Sequence, residues 1–266
     1  MGKRIVVGVI AAAILIVLII LHGWYIRAAV IIVSLAVQYE MIKTVKAGGS
    51  KPVSPVLYAF TALLFPAYYF YGLDGVFILQ MIAVALIFIA GVIFDVFDFD
   101  SIFTSIFTMY YPQLFFVFLY MIICMEDVGL SRVILVVSFV ASVLTDTFAY
   151  FVGRACGKKK LCPRISPNKT VEGAIGGLVG GVVGVVAAVL VLGETRVPMI
   201  VYIFLAVLLS AMAQVGDLSA SVVKRRYGIK DFGSILPGHG GLLDRLDSVL
   251  FILPITYLFY TLYLHI

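Results

Sequence analysis

The chain has 266 residues, of which 63% are hydrophobic and 12% are charged, and its formal net charge is +5. Soluble domains carry about twice that share of charged residues, so the composition excludes an ordinary soluble fold. It predicts an all-α, polytopic integral membrane protein, because a segment that crosses a bilayer must satisfy its own backbone hydrogen bonds. The three cysteines are too few and too irregularly spaced for a zinc site or a disulfide framework, which indicates free thiols.

Nine apolar segments are long enough to cross the hydrocarbon core, which takes about 20 helical residues. In chain order they are residues 5–22, 25–42, 53–72, 75–94, 102–124, 132–152, 172–193, 197–216 and 247–265. The first follows Lys3 and Arg4 as a secretory signal would, but its long apolar core and poor cleavage site predict a retained helix. Residues 1–130 are then an N-terminal region of spans 1–5, and residues 131–266 are a C-terminal region of spans 6–9, in which we expect any catalytic residues to lie for the reasons given below.

The basic residues predict the topology, because Lys and Arg concentrate in short cytoplasmic loops. With the N-terminus in the cytoplasm, sixteen of the 19 basic residues lie on the cytoplasmic side and three on the other. The C-terminus is then outside, and the two longest loops, residues 153–171 and 217–246, are cytoplasmic. The net charge is therefore a topology signal and not a nucleic-acid footprint, and it also favours contact with anionic lipid head groups.

Four carboxylates lie inside or at the ends of the last four spans, toward the cytoplasmic face. Asp146 lies within the sixth span, Glu172 opens the seventh, Asp217 closes the eighth and Asp247 opens the ninth. Ionisable groups at such positions are costly and indicate function, although the helix dipole also stabilises a carboxylate at a helix N-terminus. We expect Asp146 to face a cavity, a cation or a basic partner, because an unpaired buried carboxylate is unfavourable.

The segment from Ser166 to Gly173, Ser-Pro-Asn-Lys-Thr-Val-Glu-Gly, supports two compatible interpretations. As structure, Thr170 is a candidate N-cap and Glu172 lies in the first turn of a helix. As function, a helix N-terminus beside Lys169 and the hydroxyls of Ser166 and Thr170 is an anion-binding site. The six glycines that follow in the seventh span indicate close helix packing, either within the chain or between protomers.

The region from residue 214 to residue 247 combines acids, bases and glycines. Mg²⁺ is usually held by one or two carboxylates together with substrate phosphates, and Asp217 and Asp244 meet that requirement. Asp247 lies three residues beyond Asp244 and would share its helical face. Topology alone explains the number of bases in this loop, but it does not require the Gly-His-Gly-Gly and Asp-Arg-Leu-Asp sequences.

At these residues the chain resembles the phosphatidate cytidylyltransferase family. The matching elements are Ser221-Val222-Val223-Lys224-Arg225, Lys230-Asp231-Phe232-Gly233 and Leu236-Pro237-Gly238-His239-Gly240-Gly241-Leu242-Leu243-Asp244-Arg245-Leu246-Asp247. The earlier Asp-Thr-x-Ala-Tyr, Ser-Pro-x-Lys-Thr-x-Glu-Gly and Gln-x-Gly-Asp-Leu elements are similar to the family in the same order. The resemblance implies a Mg²⁺-dependent reaction of CTP with phosphatidate to give CDP-diacylglycerol and pyrophosphate, with a second cation such as K⁺.

We expect Asp217 and Asp244 to hold Mg²⁺, and Asp247 or Asp146 to complete its shell or a second cation site. The other expected catalytic residues are Lys224, Arg225 and His239. The expected substrate-binding residues are Ser166, Lys169, Thr170, Glu172, Ser221, Lys230 and Arg245.

The expected partners are CTP, phosphatidate and the bilayer, with a homodimer suggested by the glycine-rich span and no role for nucleic acid. The expected location is the inner cell membrane, with the active site on its cytoplasmic side. Two other classes stay open. A CTP-dependent polyprenol or phytol kinase would transfer a phosphoryl group to an alcohol, and a transporter would use intramembrane charges as a substrate path.

Overall fold

The computed structural model describes residues 2–94, 98–235 and 240–264. Nine helices and two short strands lie within these ranges. In chain order they are α1 Gly2–Leu21, α2 Gly23–Ala47, α3 Ser54–Phe94, α4 Phe99–Tyr110, α5 Gln113–Ile123, α6 Val128–Cys156, β1 Lys160–Cys162, β2 Ser166–Thr170, α7 Val171–Leu192, α8 Met199–Arg226 and α9 Leu243–Leu264.

Seven helical segments of the described residues are long and apolar enough to cross a membrane, and Val6–Leu21 is a shorter apolar helix. The Ser54–Ile93 segment has 40 residues and a non-helical residue, Gly72, at φ 63°. A straight helix of that length would measure about 60 Å, twice the hydrocarbon thickness. The break at Gly72 therefore coincides with the boundary between the predicted spans 53–72 and 75–94. The prediction of an all-α, polytopic membrane protein is confirmed, whereas the number of nine spans and the orientation of the termini stay predictions.

The loop predicted at residues 153–171 contains a small antiparallel hairpin. Strand β1 pairs with β2, with Lys160 opposite Thr170 and Cys162 opposite Ser166. Helix α6 also continues to Cys156, four residues beyond the predicted end of its span. The hairpin is the one two-stranded sheet in the described part of the chain, and β2 leads directly into α7.

The chain divides into two compact units, residues 1–121 with 226–244, and residues 122–225 with 245–266. Within the second unit, α6 packs along α7, whose glycines 173, 176, 177, 180, 181 and 184 are all buried. A Cβ added at Gly176 would lie 2.5 Å from Cβ of Val152, so the α6 and α7 backbones approach closely at this point. The glycine face predicted from the sequence therefore packs within the chain. The predicted division of the chain at residue 130 stays a prediction.

Candidate functional site

Strand β2 and the start of α7 carry four of the predicted substrate-binding residues. The Thr170 hydroxyl accepts a hydrogen bond from the Gly173 amide at 3.1 Å, which confirms Thr170 as the N-cap of α7. The Glu172 carboxylate accepts hydrogen bonds from the amides of Lys158 and Lys159 at 3.0 and 3.2 Å. Thr170 and Glu172 thus fix the path of the hairpin, and the anion-binding role of this segment stays a prediction.

Lys169 is linked to the acidic residues of the second unit. Its Nζ lies 2.5 Å from Oδ2 of Asp217, and both side chains are partly exposed. The Nε of Arg225 donates a hydrogen bond to the Ile165 carbonyl at 3.1 Å, which ties the end of α8 to the turn of the hairpin. Ser166 is the first residue of β2, opposite Cys162. The hairpin therefore places a predicted phosphate-binding lysine directly against a predicted metal ligand.

Asp146, Asp217 and Asp247 come together within the second unit. The Ser248 hydroxyl donates a hydrogen bond to Oδ2 of Asp146 at 3.0 Å, and the Ser248 amide donates to Oδ1 of Asp247 at 2.8 Å. Asp217 repels both Asp146 and Asp247 electrostatically. Three separate helices, α6, α8 and α9, thus contribute one acid each to a cluster in which the negative charges oppose one another.

Three basic residues offset this negative charge. Lys224 attracts Asp247, and Lys169 and Arg245 attract Asp146. Lys224 and Asp247 are both buried, at 8% and 6% relative exposure. Burial of charged groups is favourable only when they are paired, so the buried Asp247 depends on the buried Lys224. Asp146 accepts a hydrogen bond from Ser248, and the expectation that it faces a cavity, a cation or a basic partner stays a prediction.

Two positions differ from the sequence-based expectation. Asp217 does not close a helix, because α8 continues for nine further residues to Arg226. Asp247 does not open a helix either, because α9 begins at Leu243 and Asp247 is its fifth residue. The spans were predicted from hydropathy, which marks where a helix stops being apolar. Both helices continue through polar residues beyond that point. As a result, Asp217, Ser221 and Lys224 follow one another at four- and three-residue spacing along one face of α8.

The first unit contains the segment between α8 and α9. Oδ2 of Asp244 accepts hydrogen bonds from the amides of Phe232 and Gly241, each at 2.9 Å. Gly240 has φ +88°, a left-handed conformation that favours glycine and turns the chain into α9. Lys230 is exposed. His239, with Leu236, Pro237 and Gly238, lies outside the described residues, so its predicted role stays a prediction.

Glu40 of α2 was not among the predicted site residues. It is 1% exposed, and its Oε1 and Oε2 accept hydrogen bonds from the amides of Leu242 and Leu243, each at 2.9 Å. Its sequence signal was a single carboxylate near the cytoplasmic end of the apolar span 25–42, which by itself indicates a functional position. The two amides that this carboxylate binds lie 202 and 203 residues further along the chain.

The acids of the second unit suit a hard divalent cation. Within residues 2–94, 98–235 and 240–264, no three His, Cys, Asp or Glu side chains are arranged to hold a metal ion by themselves. Mg²⁺ does not need such a set, because it takes one or two carboxylates and completes its shell with water and substrate phosphates. The mutual repulsion of Asp146, Asp217 and Asp247 is the kind that a bound cation relieves. The donor set therefore fits Mg²⁺.

Comparisons with known proteins define the class of this protein. A match to the cytidylyltransferase family extends over residues 2–263, so the chain belongs to that family. The chain is 34% identical, over 269 aligned residues, to a phosphatidate cytidylyltransferase of Bacillus subtilis (strain 168), covering 99% of this chain and 98% of the relative. It is also 49% identical over 114 residues to a phosphatidate cytidylyltransferase of Staphylococcus aureus (strain COL), covering 42% and 43% of the two chains. The resemblance predicted from the sequence motifs is confirmed.

Proposed function

We propose that this protein transfers the cytidylyl group of CTP to phosphatidate in phospholipid biosynthesis, giving CDP-diacylglycerol and pyrophosphate. The observation that carries the proposal is the similarity to the Bacillus subtilis enzyme over nearly the full length of both chains. The acids and bases that the second unit gathers around Asp217 supply the charges that such a reaction needs. A phosphate oxygen of the lipid attacks the α-phosphorus of CTP, and the bond from that phosphorus to the pyrophosphate oxygen breaks.

Asp217 and Asp244 are the proposed ligands of Mg²⁺, with Asp247 or Asp146 completing its shell or a second cation site for an ion such as K⁺. Bound Mg²⁺ would neutralise the negative charge that develops on the nucleotide phosphates. The chain's own contribution is to fix these carboxylates. Asp244 is held by two backbone amides, and the Ser248 side chain and amide together contact Asp146 and Asp247.

The basic residues would bind the phosphates and orient them for in-line attack. The proposed set is Lys169, Lys224, Arg225, Lys230 and Arg245. Ser166, Thr170 and Ser221 would add hydroxyl donors near the same phosphates, and Glu172 would hold the hairpin in place. His239 would donate a hydrogen bond to a phosphate.

The reaction needs no dedicated general base. A phosphate monoester has a second pKa near 6, so most phosphatidate is dianionic at neutral pH and is already a nucleophile. The chain therefore has to position the two substrates and exclude competing water, and it does not have to remove a proton.

The proposed location is the inner cell membrane, with the active site on the cytoplasmic side. The support is the distribution of sixteen basic residues against three. This placement suits the substrates, because the acyl chains stay in the bilayer while CTP arrives from water.

A homodimer also stays a proposal. Because the glycine face of α7 packs against α6, a dimer would have to use a different surface.

The test is incubation of the purified protein with phosphatidate, Mg²⁺ and CTP labelled in the cytidine, followed by thin-layer analysis of the lipids. The proposal predicts label in a lipid product and release of pyrophosphate. A lipid kinase would instead move only the γ-phosphate of CTP into lipid. A transporter would take up substrate into vesicles without turnover. Either result would contradict the proposed function and would favour the kinase or the transporter instead.

A further inference from the structure

The N-terminus of α9 is capped by a carboxylate from a distant helix. Glu40 of α2 places one oxygen on the Leu242 amide and the other on the Leu243 amide, each at 2.9 Å. The first amides of a helix have no partner within the helix, and an anion at this end is favoured by the helix dipole. Glu40 therefore satisfies the amides of the residue before α9 and of the first residue of α9, at the end of the helix where a negative charge is favoured.

The contact is enclosed by backbone on its other sides. A Cβ added at Gly233 would lie 2.3 Å from Oε1 of Glu40, and one added at Gly241 would lie 2.8 Å from each Glu40 oxygen. One helical turn along α2, the Thr44 hydroxyl donates to the Phe232 carbonyl at 3.4 Å. Two glycines of the segment between α8 and α9 thus make room for a buried charge on α2.

The same short segment holds Asp244. Its Oδ2 accepts the amides of Phe232 and Gly241, which immediately precede Gly233 and Leu242 in the chain. The Gly241 amide bound by Asp244 and the Leu242 and Leu243 amides bound by Glu40 are therefore consecutive along the backbone. Displacement of Glu40 would release residues 241–243 and, with them, one of the two donors that orient the Asp244 carboxylate.

We propose that Glu40 is a positioning residue for the reaction, which holds Asp244 in place by capping α9 from α2. The inference rests on the proposed function, because it takes Asp244 to be a metal ligand. Glu40 itself need not touch substrate or metal. Both of its oxygens are already used by backbone amides, and its side chain is buried.

The test compares Glu40→Gln with Glu126→Gln, in which the same chemical change is made at an exposed position. A glutamine at residue 40 would turn an NH₂ group toward one of the two amide donors, so only one of these hydrogen bonds could remain. We expect faster hydrogen exchange at the amides of Leu242 and Leu243. We also expect the Mg²⁺ concentration for half-maximal turnover to rise about 10- to 100-fold, as when groups that orient a metal ligand are removed. Glu126→Gln should change neither.

Gly233→Ala provides a second route to the same contact, because the added methyl group would displace the Glu40 carboxylate and leave its charge in place. It should reproduce both changes and keeps the test valid if Glu40→Gln does not fold. Unchanged exchange at Leu242 and Leu243, or turnover lost only in proportion to unfolded protein with an unchanged Mg²⁺ requirement, would overturn the proposal. The exchange measurement needs no substrate. Failure of the wild-type protein to form CDP-diacylglycerol would therefore count against the proposed function and not against the capping contact.

Discussion

Lys169 of β2 and Asp217 of α8 form an ion pair with an Nζ to Oδ2 distance of 2.5 Å. Their side chains are 26% and 29% exposed, and a pair with this access to solvent contributes only about 0–1 kcal/mol to stability. The pair therefore does little to hold the fold together. It places a positive and a negative group side by side. When substrate binds, Lys169 could pair with a nucleotide phosphate and Asp217 with a cation.

Replacement of Lys169 should separate stability from substrate binding. We expect Lys169→Met to shift the melting temperature by no more than about 4 °C, because 1 kcal/mol corresponds to a few degrees in a chain of this size. The KM for CTP should rise by about 10-fold or more, because one charge-assisted hydrogen bond to a phosphate is lost. Lys160→Met, at an exposed lysine of the same hairpin, is the control. Equal KM values for the two variants would remove Lys169 from the binding site.

Replacement of Asp217 should abolish most turnover without unfolding the protein. Asp217→Asn keeps the shape of the side chain and removes its charge, and we expect kcat to fall by about 100- to 1000-fold, the usual effect of removing one preorganised electrostatic group. The assay is CDP-diacylglycerol formation across a Mg²⁺ titration. Asp74→Asn, at an exposed carboxylate of α3, should behave as wild type. Activity of Asp217→Asn close to that of Asp74→Asn would show that Asp217 is not a metal ligand.

Ser248 should support the acidic cluster through its hydroxyl. Loss of a hydrogen bond to a charged group costs about 1.5–3 kcal/mol, so Ser248→Ala should weaken Mg²⁺-dependent activation by about 10- to 100-fold. Ser138→Ala is a matched control, because Ser138 also makes a buried hydroxyl contact between helices, with Thr256 at 3.2 Å, but none with a carboxylate. The measurement is the Mg²⁺ concentration for half-maximal rate. The same value in both variants would exclude a supporting role for Ser248.

The contact between α6 and α7 should tolerate no added methyl group at Gly176. Gly176→Ala would place its Cβ within 2.8 Å of three Val152 carbons, and overpacking of this kind costs about 1–3 kcal/mol. Thermal unfolding in detergent should show a lower melting temperature. The double variant Gly176→Ala/Val152→Ala should recover part of the loss, because the smaller side chain makes room. Val183→Ala, at an exposed position of α7, should have little effect.

The sequence predicted the helical fold and the N-cap of α7, for physical reasons that also explain what it missed. Thr170 was identifiable as an N-cap because its chemistry is local and its partner, Gly173, is three residues away. Asp217 was placed at a helix end because hydropathy falls there, although the helix itself continues through polar residues to Arg226. The β1–β2 hairpin has no alternation of apolar residues, and its start is fixed by Glu172 through the backbone of Lys158 and Lys159. Glu40 could not be paired with Leu242 from one sequence, because no local pattern connects them.

The most direct test of the account is a double-mutant cycle on Asp217 and Asp244. If both hold the same Mg²⁺ ion, each single Asn variant removes most of the catalysis that the ion supplies, and the second replacement has little left to remove. If the two acids acted independently, their fold-losses in kcat would multiply. We predict instead that kcat of Asp217→Asn/Asp244→Asn lies within about 10-fold of the slower single variant. Losses that multiply in full would contradict the claim that these two acids act on one metal ion.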